Sequence, residues 1–174
     1  MSCCCVNETK NVKIKLSRKQ LLYDIENYTY IEGDLISTDA EHARHRIIDI
    51  AQDGNIDRVN RVLNLAYNEC VDILYNYTKK DIEDEETVVT DYVETPEIYE
   101  ISMKVPATVS MTSINLLKDD IHEYFVYRVI EDWMSIVKPD EQETWTKKLL
   151  KSREKIGYAL SRRTKPIKRK LKPF

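Results

Sequence analysis

Glycine is scarce in this chain, with three residues in 174, at Gly33, Gly54 and Gly157. Such spacing excludes a glycine-rich loop able to cradle phosphates. No run approaches the roughly 18 apolar residues needed for a membrane-crossing helix, and no signal-peptide pattern is visible. The expectation is a protein neither inserted in a membrane nor exported by a cleaved leader. Cysteine numbers four, three of them consecutive at Cys3, Cys4 and Cys5. Neighbours of that kind do not easily share a disulfide, and their spacing matches no zinc motif. A reducing site of synthesis fits best. Phenylalanine occurs twice against eleven tyrosines. Tyrosine combines contact area with a polar handle, which suits surfaces covered by a neighbour and equally suits half-exposed core margins.

The charge is distributed unevenly. A formal net charge of −3 conceals two opposed blocks. Arg162 to Phe174 reads RRTKPIKRKLKPF, with seven cations and no anion, while Asp81 to Glu100 holds nine acids and neither Lys nor Arg. Complementary fields of this kind can orient copies of a chain, or a partner, on approach.

Residues 1–10 lack periodicity and read as a flexible N-terminus. Val12, Ile14 and Leu16 alternate with Lys13 and Lys15, a short half-buried or edge strand; lysines on such a strand oppose unwanted pairing. Ser17 with Gln20 forms a capping-box pattern before a helix over about 18–30, with Leu21, Leu22, Ile25 and Tyr28 on one side. Gly33 and Asp34 read as a break. Thr38 with Glu41 repeats the box ahead of a helix through Ile47, Ile48 and Ile50, which Gly54 interrupts. Ile56, Val59, Leu63, Ala66, Cys70, Ile73 and Tyr77 then recur every three or four positions, predicting a helix over about 56–78. Cys70 lies on that stripe as a core thiol.

The period changes after the acidic block. Residues 87–94 and 98–109 are rich in Val, Thr, Tyr and Ile, and Thr95–Pro96 marks a turn between them. The reading is a β-hairpin at about 87–109, with Tyr99, Ile101, Met103 and Val105 as its apolar face. Alone it would be marginal, so it must lie on helices, on the N-terminal strand or on a neighbouring subunit. Thr112 or Ser113 can cap the next helix, which reaches Val137 through Leu117, Ile121, Tyr124, Phe125, Ile130, Trp133 and Met134. Beyond Pro139, Asp140 and Glu143 form a third box for a last helix carrying Trp145, Leu149, Ser152, Ile156, Ala159 and Leu160. The fold class expected is mainly α: an antiparallel helical bundle spanning 11–163 with the β-hairpin inserted, and an extended basic arm over 164–174. Leu63, Cys70, Ile121, Phe125, Trp133, Trp145 and Leu149 are its expected core.

Candidate chemistry is thin. His42 and His45 stand three apart on a helix and could share a metal, yet EHARH lacks the HExxH gap and a third ligand, so they read as surface histidines. His122 reads as structural or solvated. No nucleophile-elbow pattern is present, and the carboxylates Asp81, Glu83, Asp84, Glu85 and Glu86 form a run typical of a solvated loop. No enzymatic activity, cofactor or metal is expected. The basic tail is more informative. Arg162, Arg163, Lys165, Lys168, Arg169, Lys170 and Lys172 could neutralise phosphates without reading sequence. But Ile167, Leu171 and Phe174 are interspersed among them, as in a peptide that docks in a neighbour's groove with its charges on an acidic rim.

Two stretches carry a resemblance. DWMSIV at Asp132–Val137, continuing through a helix to RRTKPIKRKLKPF, resembles small virion proteins of crAss-like and related Bacteroides phages. The opening strand with LSRKQLLYDIENYTYIEGD at Leu16–Asp34 is similar to their N-terminal segments. The likeness spans about the first forty residues and about the last sixty. It implies a structural subunit of a neck or tail ring, a head–tail connector in the virion, made in the host cytoplasm. It further implies a homo-oligomer of about twelve copies around the DNA channel, touching the portal and adjacent neck or tail proteins. In that setting Arg162–Phe174 is the inter-subunit arm and Asp81–Glu86 an acidic contact patch. The alternative function is a DNA-binding or packaging-associated module that uses the basic tail.

Overall fold

The computed structural model describes residues 8–35, 41–80, 89–92 and 95–160. Among them are six α-helices and one two-stranded antiparallel sheet: a mainly helical bundle with a small β unit laid on it. The elements are β1 (Thr9–Ser17), α1 (Arg18–Asp34), α2 (Glu41–Ile48), α3 (Ile56–Ile73), α4 (Tyr75–Thr78), β2 (Ile98–Pro106), α5 (Met111–Val137) and α6 (Pro139–Ala159). A 3₁₀ turn, Asp49–Ala51, follows α2.

The core is organised around α5, whose 27 residues make a rod of about 40 Å. It packs against α6, α3, α1 and α2, and it touches β1. Contacts on so many sides explain its apolar sequence: Ile114, Leu117, Ile121, Phe125, Val126, Val129, Ile130 and Met134 are all buried. Ser110 caps it, accepting from the Ser113 amide at 3.2 Å, so the cap lies just ahead of the expected Thr112 or Ser113. Pro139 is the first residue of α6 and Lys138 its N-cap, in place of the expected Asp140–Glu143 box. A proline costs nothing at the first helical position, because its missing N–H would have had no intrahelical partner. Asp140 and Glu141 occupy the first turn, where carboxylates favour the helix dipole.

Three local expectations change near α1 and α3. Ser17 makes no capping bond: it ends β1, and Gln20 turns instead to Asp24 at 3.1 Å. Gly33 does not break the chain but lies buried inside α1, where a Cβ would meet Ile48 Cγ1 at 2.8 Å. Its role is to let α2 approach. The long third helix ends at Ile73. Leu74 leaves helical geometry, and Thr78 Oγ1 closes the break by donating to the Val71 and Leu74 carbonyls at 2.8 and 3.1 Å. The expected Thr38–Glu41 box lies partly outside the described residues.

The sheet pairs distant segments. β2 runs antiparallel to β1 from Thr9 opposite Pro106 to Ser17 opposite Ile98. The expected partner segment, 87–94, is described only at 89–92, and those four residues form no strand. Charge and parity explain the choice. Pairing β2 with the acidic segment would set Asp91 and Glu94 near Glu97 and Glu100, whereas β1 offers lysines. Lys13 and Lys15 reach Glu100 at 2.6 and 3.4 Å. In this register Ile14, Leu16, Tyr99, Ile101, Met103 and Val105 are all buried on the helices.

Candidate assembly surface

Arg18 sets the edge of the sheet. Its amide donates to the Glu97 carbonyl at 2.9 Å, and its Nε donates to Oδ1 of the buried Asn60 at 3.0 Å. One residue thereby ties the end of β1, the start of β2 and α3 together. At the other end Ala107 N donates to Glu8 O at 2.9 Å. In an antiparallel ladder, residue pairs that exchange hydrogen bonds alternate with pairs that do not. Two fixed bonds at Arg18–Glu97 and Glu8–Ala107 therefore assign every position. Even-numbered residues of β1 point their main-chain groups into the ladder, and odd-numbered ones, Asn11, Lys13 and Lys15 among them, point theirs outward. On β2 the even-numbered residues face outward.

The two outer edges differ. At β2, Tyr67 Oη donates to the outward Glu100 carbonyl at 3.1 Å, and α4 packs against the strand. Tyr67, Tyr99, Asn64, Asn68, Thr90, Tyr92 and Pro96 border a groove of about 330 Å³ there. Tyr99 donates to Asn64 Oδ1 at 2.9 Å and stacks edge-on against Phe125. Burial raises the pKa of both Tyr67 and Tyr99, so they stay neutral hydroxyl donors. At β1, by contrast, no hydrogen bond among the described residues reaches the main chain of Asn11, Lys13 or Lys15.

The solvent face of the sheet is basic. Lys13, Lys15 and Lys104 share it with one carboxylate, Glu100, and Lys13 and Lys104 are exposed. Hydrogen bonding from Lys13 holds Glu100 below the usual carboxylate range. Three cations against one anion leave two positive charges in excess on this face.

Elsewhere the polar groups tie helices to each other. Tyr124 donates to Glu69 at 2.6 Å, raising the tyrosine pKa further than burial alone. Arg128 reaches Glu69 and Glu131, and Gln142 donates to Glu131 at 3.0 Å. His122 Nε2 stands 2.7 Å from Asp24, which joins α5 to α1, and His42 and His45 are exposed on α2. Lys155 spans Asp120 and Glu123 between α6 and α5. Among the described residues no group of three or more His, Cys, Asp or Glu is placed to hold a metal, and no helix is long and apolar enough to cross a membrane.

Of the residues singled out from the sequence, Leu63 and Cys70 are buried on α3, Ile121, Phe125 and Trp133 on α5, and Trp145 on α6. Leu149 is half-buried against the core. Burial raises the Cys70 thiol pKa well above its ordinary value, so it is an unreactive thiol. Trp145 is 1% exposed, with Tyr28 and Tyr127 against its ring and Lys148 Nζ 3.5 Å from the ring centroid. The arm residues Arg162, Arg163, Lys165, Ile167, Lys168, Arg169, Lys170, Leu171, Lys172 and Phe174 lie outside the described residues. So do Asp81, Glu83, Asp84, Glu85 and Glu86. The sequence reading missed the Arg18–Asn60 bond and the Tyr67–Glu100 bond. Neither has a local signal, since each joins residues more than thirty positions apart.

No family model matches the chain, and neither a curated protein nor a solved structure is significantly similar to it.

Proposed function

We propose that the chain is a structural subunit of a phage neck or tail ring, a portal-proximal connector that assembles in several copies around the DNA channel. The observation that carries this reading is the separation of charge: seven cations in Arg162–Phe174 against nine acids in Asp81–Glu100. Opposed blocks on one chain favour a heterologous contact, in which one surface of each copy meets a different surface of the next. Repeated with a closing rotation, such a contact makes a ring. Large side chains left in water agree with covered surfaces: Tyr23, Tyr30, Tyr75, Tyr92 and Tyr158 are all more than half exposed. The resemblance of both ends to virion proteins of Bacteroides phages supplies the setting.

The arm supplies the test. Deleting residues 165–174 removes five of the seven cations while leaving every described element untouched. The truncated protein should keep its helical circular dichroism and lose assembly with the portal or with its own copies, measured by light scattering. Unimpaired assembly would overturn the reading. A chain that stays monomeric with its portal, and binds DNA with a steep salt dependence lost on truncation, would instead establish the tail as a nucleic-acid module.

A further inference from the structure

We infer that the open edge of β1 is a strand-addition site, and that its occupant is the acidic segment containing Val89–Tyr92 of a second copy. The inference rests on the assembly reading above and gives it a specific joint. Three observations converge on it.

First, among the described residues the edge has no partner strand, and its register is fixed. Asn11, Lys13 and Lys15 present main-chain groups outward with no hydrogen bond among the described residues, along a strand of nine residues. Second, Val89–Tyr92 has the composition of a strand without being one. It reads Val-Thr-Asp-Tyr and forms no ladder, and Val89 and Tyr92 are 88% and 79% exposed. Large apolar side chains so exposed on a segment of high β-propensity are surfaces awaiting a partner. Third, the charges match. The sheet face beside the edge carries two positive charges in excess, while Asp81–Glu100 contains no cation.

Alternation then orients the added strand. With Asp91 on the face of Lys13 and Lys15, Val89 lies on that face beside the lysine stems, and Thr90 and Tyr92 fall on the opposite face, where Tyr92 continues the apolar surface of Ile14 and Leu16. The lysines also select the occupant. They repel a second β1 laid along the same edge and attract an acidic strand, so attraction and exclusion come from the same side chains. Pairing within one chain is disfavoured by placement. Thr90 and Tyr92 border the groove at the outer edge of β2, with the whole sheet between them and the open edge of β1. A segment of one copy on an edge of the next is a heterologous contact, as a ring requires.

The experiment uses the full chain carrying Asp91→Lys, which weakens the chain's own segment as a competitor. A fluorescein-labelled peptide of residues 87–94 is titrated and followed by anisotropy. Saturable binding that weakens as salt rises is expected. Lys13→Pro removes one outward N–H, the Lys13 charge and no ladder bond, and should weaken it at least about tenfold, well beyond Lys13→Gln, which removes the charge alone. Two N-methylated peptides need no protein variant: one blocks Val89 and Asp91, the other Thr90 and Tyr92. Strand addition requires one of them to lose binding about tenfold and the other to keep it. Absence of saturable binding, or equal binding by both methylated peptides, would overturn the proposal. Failure of the assembly reading looks different, because a chain that never self-associates would still capture the peptide. Rings that form while Lys13→Pro changes nothing would sink the edge and spare the ring.

Discussion

The indole N–H of Trp133 donates to the main-chain carbonyl of Ile47 at 3.1 Å, joining the last quarter of α5 to the end of α2. Both residues are buried, with Trp133 only 7% exposed. The carbonyl belongs to the closing turn of α2, where helical acceptors have no partner within the helix. Trp133 therefore fills the core and also satisfies a polar group that would otherwise be lost inside it.

The two contributions can be separated by substitution. Trp133→Phe keeps much of the ring and leaves the Ile47 carbonyl without its donor, a loss of about 1–3 kcal/mol. Trp133→Ala adds a cavity and should cost about 3–5 kcal/mol. Denaturant curves that rank the variants in this order, with unchanged slopes, would support both roles. A Phe variant as stable as the parent would show that the hydrogen bond contributes nothing.

Gly33 offers a test in which propensity and packing oppose each other. Alanine should improve a helix interior by about 1 kcal/mol. At this position, however, its Cβ would lie 2.8 Å from Ile48 Cγ1 and 3.0 Å from Cδ1. Overpacking of that kind costs about 1–3 kcal/mol, so Gly33→Ala should be a net loss. Adding Ile48→Ala removes the obstacle, and the pair should show a favourable coupling of at least about 0.5 kcal/mol in a double-mutant cycle. Additive effects would mean that α2 does not press on Gly33.

These cases mark where the sequence was legible. The α5 stripe and the Val12–Ile14–Leu16 alternation could be read because periodicity is local and burial enforces it. The bundle with its two-stranded unit followed from them. The partner of β2 was less legible. Residues 87–94 have suitable side chains and a turn beside them, but the choice depends on whether Glu100 meets lysines or further carboxylates. That is a contact between distant segments. Gly33 misled for a related reason, since a glycine that ends a helix and one that admits a neighbouring helix look alike in one dimension. Two of the three capping boxes failed by competition: Ser17 was already committed to β1, and Pro139 already supplied a good start for α6.

Glu32 gives the fold a pH dependence. Burial raises its pKa above the ordinary value, the Glu141 carboxylate and its hydrogen bond raise it further, and Lys148 and Lys138 oppose the shift. A carboxyl whose folded pKa is raised favours folding when protonated. Its contribution is complete below the ordinary glutamate pKa of about 4.3, and it is lost as pH rises through the folded value. Glu32→Gln mimics the protonated form. The variant should therefore exceed the parent in stability at pH 7, by less than about 1 kcal/mol because the site is partly solvated. The difference should vanish toward pH 4. A gain that persists unchanged at pH 4 would assign it to something other than this ionisation.

The acidic block should act through charge if it meets the basic arm of another copy. Reversing Glu83, Asp84, Glu85 and Glu86 to Lys turns four anions into four cations in a chain whose net charge is only −3. The attraction being removed is itself screened, since the Debye length falls from about 30 Å at 0.01 M salt to about 8 Å at 0.15 M. The reversal should therefore impair assembly severely at low salt, where the parent gains most from opposite charge, and less at high salt, where parent and variant converge. Reversing arm charges in the same variant, Lys168, Arg169, Lys170 and Lys172 to Glu, should restore assembly at low salt if the two blocks touch. That rescue separates direct contact from a general effect of net charge: the doubly reversed chain has the parent's net charge, but so does a chain with the exposed Lys19, Lys147, Lys151 and Arg153 reversed to Glu instead. Assembly restored only by the arm would place the acidic block against it. Equal rescue by any four reversals, or assembly indifferent to salt throughout, would leave these carboxylates as an ordinary solvated loop.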